Sequence, residues 1–292
     1  MQDAIIDKDG SILKSATGME GGCVAQGSTC GVVTGGALGI ARMYQQQLNP
    51  GEALSQVAVM RSVRYYVDWF SERYGSTRCF DRSGVDFNTL SGQLRYLVSI
   101  PKLFRCASQV GHAVNYLTLN SNDIISGKTF ERDSFPYENS PHCAQKVLVS
   151  IRDKTGFGYS PLEQIAFVFD GGVGASGGLC GAIAGAVMAL NLHHGTDLRQ
   201  SSYLRNAHAF FKGHANLLVK KPFGRKDTFF LGKRLIREIQ REAGSTLECS
   251  GITGETFKSL DDFSTYIQTS DGCGKRIRSI SEIASKVILE SM

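Results

Sequence analysis

Gly21-Gly22-Cys23-Val24-Ala25-Gln26-Gly27-Ser28-Thr29-Cys30-Gly31-Val32-Val33-Thr34-Gly35 returns 150 positions later as Gly171-Gly172-Val173-Gly174-Ala175-Ser176-Gly177-Gly178-Leu179-Cys180-Gly181-Ala182-Ile183-Ala184-Gly185. Five glycines and one cysteine coincide, and an apolar stretch with helical spacing follows each copy. Self-similarity on this scale means that one structural unit occurs twice. The correspondence continues downstream. Gly75-Ser76-Thr77-Arg78-Cys79 is echoed by Gly244-Ser245-Thr246-Leu247-Glu248-Cys249, with one residue inserted. Gly84-Val85-Asp86-Phe87 parallels Gly254-Glu255-Thr256-Phe257. Cys106, followed by Val110, Ala113, Val114 and Leu117, parallels Cys273, followed by Ile277, Ile280, Ile283, Ala284 and Val287.

The eight cysteines thereby fall into two ordered sets, Cys30, Cys79, Cys106 and Cys180, Cys249, Cys273, to which the copies add Cys23 and Cys143 respectively. Cys143 lies in His142-Cys143-Ala144-Gln145-Lys146-Val147-Leu148, a segment with no counterpart ahead of Gly18. The first copy therefore lacks the opening helix of the second. Residues 1–117 read as a divergent N-terminal copy, 118–137 as a connector rich in turn formers, and 138–292 as the fuller copy.

The pattern is helical throughout. Gly31–Gln47 and Gly181–His194 carry small and aliphatic residues at close spacing, and Val57–Tyr74 sets Val63, Tyr66, Val67 and Phe70 on one stripe. Lys233–Ala243 is the counterpart of Val57–Tyr74, and each ends at a glycine suited to a helix C-terminus. Leu94–Leu117 is helical with a break expected near Pro101, and Glu282–Glu290 closes the chain as an amphipathic helix. The expected fold is all-α, with two tandem copies forming a pseudo-dimer. Ser201–Leu231 is an extension found in the second copy, expected to be a packed helix or a partner-facing arm.

A hydrophobic content of 42% and a charged content of 20% are those of a soluble globular protein. The apolar run Ala182–Leu192 is too short to span a bilayer, and Met1–Gly18, with Asp3, Asp7 and Asp9, is not a signal peptide. Ten of the chain's basic residues, against two acidic ones, fall between Arg205 and Arg241. That excess suits an acidic redox partner protein, or simply a solvated face; no aromatic platform or recognition motif points to nucleic acid.

Cys30 and Cys180 sit where a glycine-rich loop meets a predicted helix. Unpaired backbone N–H groups and the helix dipole favour a thiolate there, and thiolate is the form that ligates metals and attacks disulfides. Glycines at Gly31, Gly35, Gly181 and Gly185 leave one helix face bare, open to another helix or to a bulky inorganic group. No CxxC pair occurs, which argues against zinc ribbons and thioredoxin-type sites, and no CxxCH, so no covalent haem is expected. Four distant thiolates suit an iron–sulfur cluster; they equally suit two long-range disulfides or one that cycles. Histidines 112, 142, 193, 194, 208 and 214 show no ligand spacing, and hydrolase, P-loop and HExxH motifs are absent. Gly172-x-Gly174-x-x-Gly177 has nucleotide-loop spacing without the βαβ context.

These residues resemble a family of redox-active proteins with the cysteine pattern C…CGAxxG…C…C. Cys180-Gly181-Ala182-Ile183-Ala184-Gly185 carries the central element, Cys143 matches the first cysteine, and Cys249 and Cys273 the last two. The resemblance covers about Ser140 to Met292; Gly21 to Leu117 is a divergent second copy in which Cys30-Gly31-Val32-Val33-Thr34-Gly35 keeps the cysteine and glycines. The family is similar in turn to split-Soret cytochrome c, a dimeric bacterial protein carrying haems with an iron–sulfur centre. The resemblance implies a helical redox module, often found in anaerobes and sometimes exported, acting in electron transfer or redox sensing. Cys143, Cys180, Cys249 and Cys273 would hold a cluster, and Cys23, Cys30, Cys79 and Cys106 a second or degenerate metal site. The residues leave two other readings open. One is a thiol–disulfide oxidoreductase with Cys180 as attacking thiolate; the other is a disulfide-stabilised binding module, alone or as a homo-oligomer.

Overall fold

Each repeat contains a chain reversal that L-amino acids avoid. In the computed structural model, which describes residues 10–46, 55–121, 142–220 and 227–292, five successive residues, Gly21 to Ala25, have φ between 52° and 77°. Gly171 to Ala175 repeat the feature with φ between 57° and 84°. Left-handed backbone costs a non-glycine residue about 1–2 kcal/mol, and here Cys23, Val24, Ala25, Val173 and Ala175 adopt it while buried. Backbone hydrogen bonds hold both reversals. Ala25 N donates to Glu20 O (2.9 Å), Gly27 N to Gly21 O (2.9 Å) and Ser28 N to Gly22 O (3.0 Å); Ala175, Gly177 and Gly178 repeat these bonds at 2.9, 2.8 and 2.9 Å.

Beyond the reversals the chain is helical, as its spacing predicts, and the two repeats are aligned element by element. The first contains α1 (Ser11–Ala16), α2 (Gly31–Gln46), α3 (Gln56–Tyr74), α4 (Cys79–Ser83), α5 (Leu90–Leu97) and α6 (Ile100–Leu119). The second opens with α7 (Cys143–Thr155) and continues as α8 (Ser160–Ile165), α9 (Gly181–His194), α10 (Tyr203–Leu218), α11 (Thr228–Ala243), α12 (Cys249–Thr253), α13 (Leu260–Thr269) and α14 (Asp271–Glu290). Helices α1 to α6 correspond in order to α8, α9 and α11 to α14; among the described residues α7 and α10 have no counterpart. The break expected near Pro101 falls just before it, with the proline in the first turn of α6. Helix α11 starts at Thr228, earlier than the spacing from Lys233 suggested, because Asp227 caps it by accepting from Phe230 N (3.0 Å). Most of the expected connector, residues 122–137, lies outside the described residues, as do 221–226 of the second-copy extension, whose remainder is mainly helix α10. Among the described residues no strand forms, and no helix is long and apolar enough to cross a membrane.

The copies are interleaved rather than set side by side. Helix α9 is apolar on every face and buried from Gly181 to Asn191, the pattern of a central helix. It is wrapped by α7, α11 and α14 of its own copy and by α1 of the other. Conversely, the short 3₁₀ turn Ala166–Phe169 after α8 packs on α2 and α3. Thr17 Oγ1 bonds Asn191 Oδ1 (3.2 Å), and Lys14 Nζ donates to the His193 carbonyl (3.2 Å).

Where equivalent residues meet across this interface, they differ. Val24 stands opposite Gly232 of α11: a Cβ on Gly232 would lie 2.8 and 2.9 Å from the two Val24 methyls. At the equivalent contact the roles are exchanged, for Gly174 faces Val63 of α3, and a Cβ there would lie 2.9 Å from Val63 Cγ1. Arg78 and Glu248, the residues before the equivalent Cys79 and Cys249, form an ion pair of 3.8 Å. Thr29 Oγ1 accepts from the backbone N–H of Leu179, its own equivalent, at 2.8 Å.

Gly232→Val should therefore cost about 1–3 kcal/mol through overpacking. Val24→Gly, which also relieves left-handed strain, should restore most of it. Thermal or urea unfolding of the two single variants and the double variant checks this; strictly additive effects would show that the two positions do not meet.

Candidate functional site

The reversals deliver each chain into a short antiparallel clamp that fixes two cysteines. In the second copy Cys180 N donates to Leu247 O (2.9 Å) and Cys249 N to Gly178 O (2.6 Å); in the first Cys30 N donates to Thr77 O (2.8 Å) and Cys79 N to Ser28 O (2.8 Å). Isolated bridges at Leu179–Glu248 and Thr29–Arg78 mark the two clamps.

Around the second clamp four helices start with a cysteine. Cys180 is the N-cap of α9, Cys143 and Cys249 are the first residues of α7 and α12, and Cys273 lies in the first turn of α14, its N–H bonded to Ser270 Oγ (3.3 Å). Each presents the positive end of a helix dipole. The four thiols lie near enough for a charge on one to disfavour a charge on the others. Asp170, fully buried, accepts from Cys143 N (2.9 Å) and contacts His142 Nδ1 (2.7 Å), tying the start of α7 to the reversal.

The first copy assembles three thiols. Cys30 precedes α2, Cys79 begins α4 and Cys106 lies in the second turn of α6; they line one cavity together with Arg82, Tyr96 and Arg105. The expected fourth member, Cys23, is not brought to them. It is fully buried within the left-handed reversal, and the groups that most disfavour its ionisation are Glu248 and Cys180 of the other copy.

The expectation that Cys30 and Cys180 are lowered by their helices is reversed. Backbone N–H groups of Val32 and Val33 do act on Cys30, and those of Ala182 and Ile183 on Cys180, but burial outweighs them and both thiols sit above the usual value. Burial likewise raises Cys143, Cys249 and Cys23, and pushes Cys79 up to about 12, with the neighbouring thiols adding to it. All eight cysteines are unpaired.

Among the described residues, no three Cys, His, Asp or Glu side chains are arranged to hold a single metal ion. The candidate set is all-sulfur, has three of its four members buried, and is supplied by four helix N-termini in the second copy.

Sequence reading missed two features of the site. Tyr96 and Tyr266, equivalent residues of α5 and α13, each stand beside the last cysteine of their set, Cys106 and Cys273. Asp170 and its equivalent, Glu20, also escaped notice, although both immediately precede the paired glycines that reveal the repeat. The other half of the site's difference is steric. A Cβ on Gly185 would lie 2.7 Å from Ala144 O, and one on Gly181 3.0 Å from Cys143 Cβ, so α7 rests directly on the bare face of α9. On α2 nothing lies within 4 Å of the Cβ position at Gly35.

Compared with known families, the chain matches a family model described as "Putative redox-active protein (C_GCAxxG_C_C)" over residues 1–118 and again over 141–287. The two matches cover most of the chain, which belongs to that family, and they correspond to its two tandem copies. The description spells the central element GCAxxG; in both copies here the cysteine precedes the glycine, as Cys30-Gly31 and Cys180-Gly181. No curated protein and no solved structure matches the chain.

Two measurements follow. Gly185→Ala should destabilise the protein by about 1–3 kcal/mol by displacing α7, whereas Gly35→Ala should stabilise it by about 0.5–1 kcal/mol through helix propensity. Equal effects at the two sites would contradict the geometry. In metal-free protein burial raises the folded thiols of Cys23, Cys30, Cys79, Cys143, Cys180 and Cys249 above the usual 9.0, Cys79 to about 12. Between those values the unfolded chain binds fewer protons than the folded one. Stability should therefore be fully present below 9.0 and fall as pH rises through it. Melting curves from about pH 7.5 to about pH 10 test the sign.

Proposed function

We propose that this member of the redox-active family carries electrons on an iron–sulfur cluster held by Cys143, Cys180, Cys249 and Cys273, in electron transfer or redox sensing. The observation that carries the reading is the meeting of four cysteines from the starts of four separate helices, α7, α9, α12 and α14. A cluster of this kind accepts and returns one electron without making or breaking a bond to the protein. The chain's own residues provide the rest. The clamp fixes Cys180 against Cys249, Asp170 and the bare face of α9 fix Cys143, and burial of three of the four cysteines excludes water. The four positive helix ends offset the negative charge of four thiolates. Tyr266 stands beside Cys273, where its hydroxyl would tune the potential of a cluster.

The first copy's Cys30, Cys79 and Cys106 make a three-thiol version of the same arrangement, with Tyr96 in the place of Tyr266. The thiol–disulfide reading is less well supported: an attacking thiol needs a thiolate near ambient pH, and burial holds Cys180 the other way. A redox partner with an acidic face suits the basic residues of α10 and α11, including Arg205, Lys212, Arg237 and Arg241.

Anaerobic reconstitution with iron and sulfide should give visible absorption above about 400 nm, where sulfur-to-iron charge transfer falls. Iron and sulfide should be retained after desalting. Serine at Cys143, Cys180, Cys249 or Cys273 should remove or greatly weaken that absorption, and Cys23→Ser should leave it. Protein that stays colourless after reconstitution would overturn the proposal.

A further inference from the structure

In the first copy the described residues around the three thiols bound a cavity. It has a volume of about 1350 Å³ and is bounded by the bare face of α2 at Gly31 and Gly35, by α6, and by α10 reaching over from the other copy. Cys30, Cys79 and Cys106 all line it. Helix α10 forms one wall of the chamber. His214 of α10 takes over the carboxylate left without an opening helix: Glu20 pairs with His214 Nε2 (3.1 Å), where its equivalent Asp170 caps α7. Gln93 Nε2 donates to the His214 carbonyl (2.9 Å), fixing α10 against the first copy.

The charges of this chamber do not balance. Its two carboxylates are both engaged, Glu20 with His214 and Asp227 with the first turn of α11. Arg205, His208 and Lys212, successive residues of one α10 face that line the chamber, have no carboxylate partner among the described residues. The remaining lining is largely aliphatic and aromatic, including Leu103, Val110, Leu117, Phe210 and Phe229. A volume above the usual range for small-molecule sites, an apolar body and a cationic mouth together specify a ligand.

We infer that this chamber binds an extended apolar organic anion, of the long-chain carboxylate or aromatic sulfonate class, with its body against α2 and α6 and its acid group at Arg205 and Lys212. The bound molecule lies beside the three thiols of the first copy. The copies thus divide the work: the second seals its thiols under α7, and the first exposes its thiols to a ligand.

The test is run on the full-length, metal-free protein, so that it stands apart from the iron–sulfur reading. Fluorescence of 8-anilinonaphthalene-1-sulfonate should rise to saturation at one molecule per chain and be displaced by palmitate. Gly35→Leu, whose side chain enters the open chamber from a helix it does not disturb, should abolish binding while the melting temperature holds or rises. Val114→Phe, on the opposite wall, provides a second block. Arg205→Glu combined with Lys212→Glu should weaken both probes by about tenfold, the scale of a lost charge-assisted contact. Bound palmitate should slow alkylation of Cys106 but not of Cys273, read by peptide mass spectrometry. Undiminished binding in both blocked variants, or no saturable binding at all, would overturn the site; binding indifferent to the charge reversals would overturn the anionic class.

Discussion

The arrangement rests on two stretches of left-handed backbone that have no intrinsic reason to be stable. Five consecutive positive-φ residues in each repeat, with valine among them, are held only because the surroundings determine them. The reversal turns the chain so that Cys30 or Cys180 leaves it at the start of a helix. The same residues then meet Cys79 or Cys249 in the clamp, and their outward side is packed on a helix of the opposite copy. Strain, cysteine placement and the interface are therefore one feature. Loosening the interface would release the reversal, and with it the relative position of two thiols in each set.

Two electrostatic effects oppose each other at the thiols. Helix N-termini favour the charged sulfur, and enclosure in protein disfavours it; for Cys30 and Cys180, where both act directly, enclosure prevails. A buried thiol of this kind resists adventitious chemistry in the metal-free state. It becomes a thiolate readily once a cation stands beside it, since helix ends and neighbouring N–H groups already point at the sulfur.

The all-helical fold and the pairing of cysteines were legible because glycine and cysteine tolerate little replacement where backbone approaches backbone, so their spacing survived divergence. Helices α2, α3 and α9 could be read nearly to their ends for the same reason: apolar periodicity is dictated by a core on one side. The short helices α4, α12 and α13 escaped, since a turn or two of helix set by caps and tertiary contacts has no period to detect. The grouping of Cys23 with Cys30 also went unrealised: proximity in sequence says little across a left-handed reversal, which turns Cys23 into the opposite copy. The direction of the Cys30 and Cys180 shifts could not be read at all, because burial is a property of the whole fold.

A covalent tandem permits what a symmetric dimer forbids. In a dimer of identical chains every change appears twice, so a valine at position 24 facing a valine at 232 would clash at both contacts, and a charge at Arg78 would face its own copy. Here each such pair has diverged in opposite senses, valine to glycine, arginine to glutamate and threonine to leucine, and each difference improves the fit of unlike halves while penalising like ones. The same freedom allows α7 and α10 each to occur in one copy among the described residues. In the second copy Asp170 holds the start of α7, whereas in the first the equivalent Glu20 pairs with His214 of α10. The interface asymmetry is thus the condition for the functional asymmetry: only halves that recognise each other as different can afford to do different things.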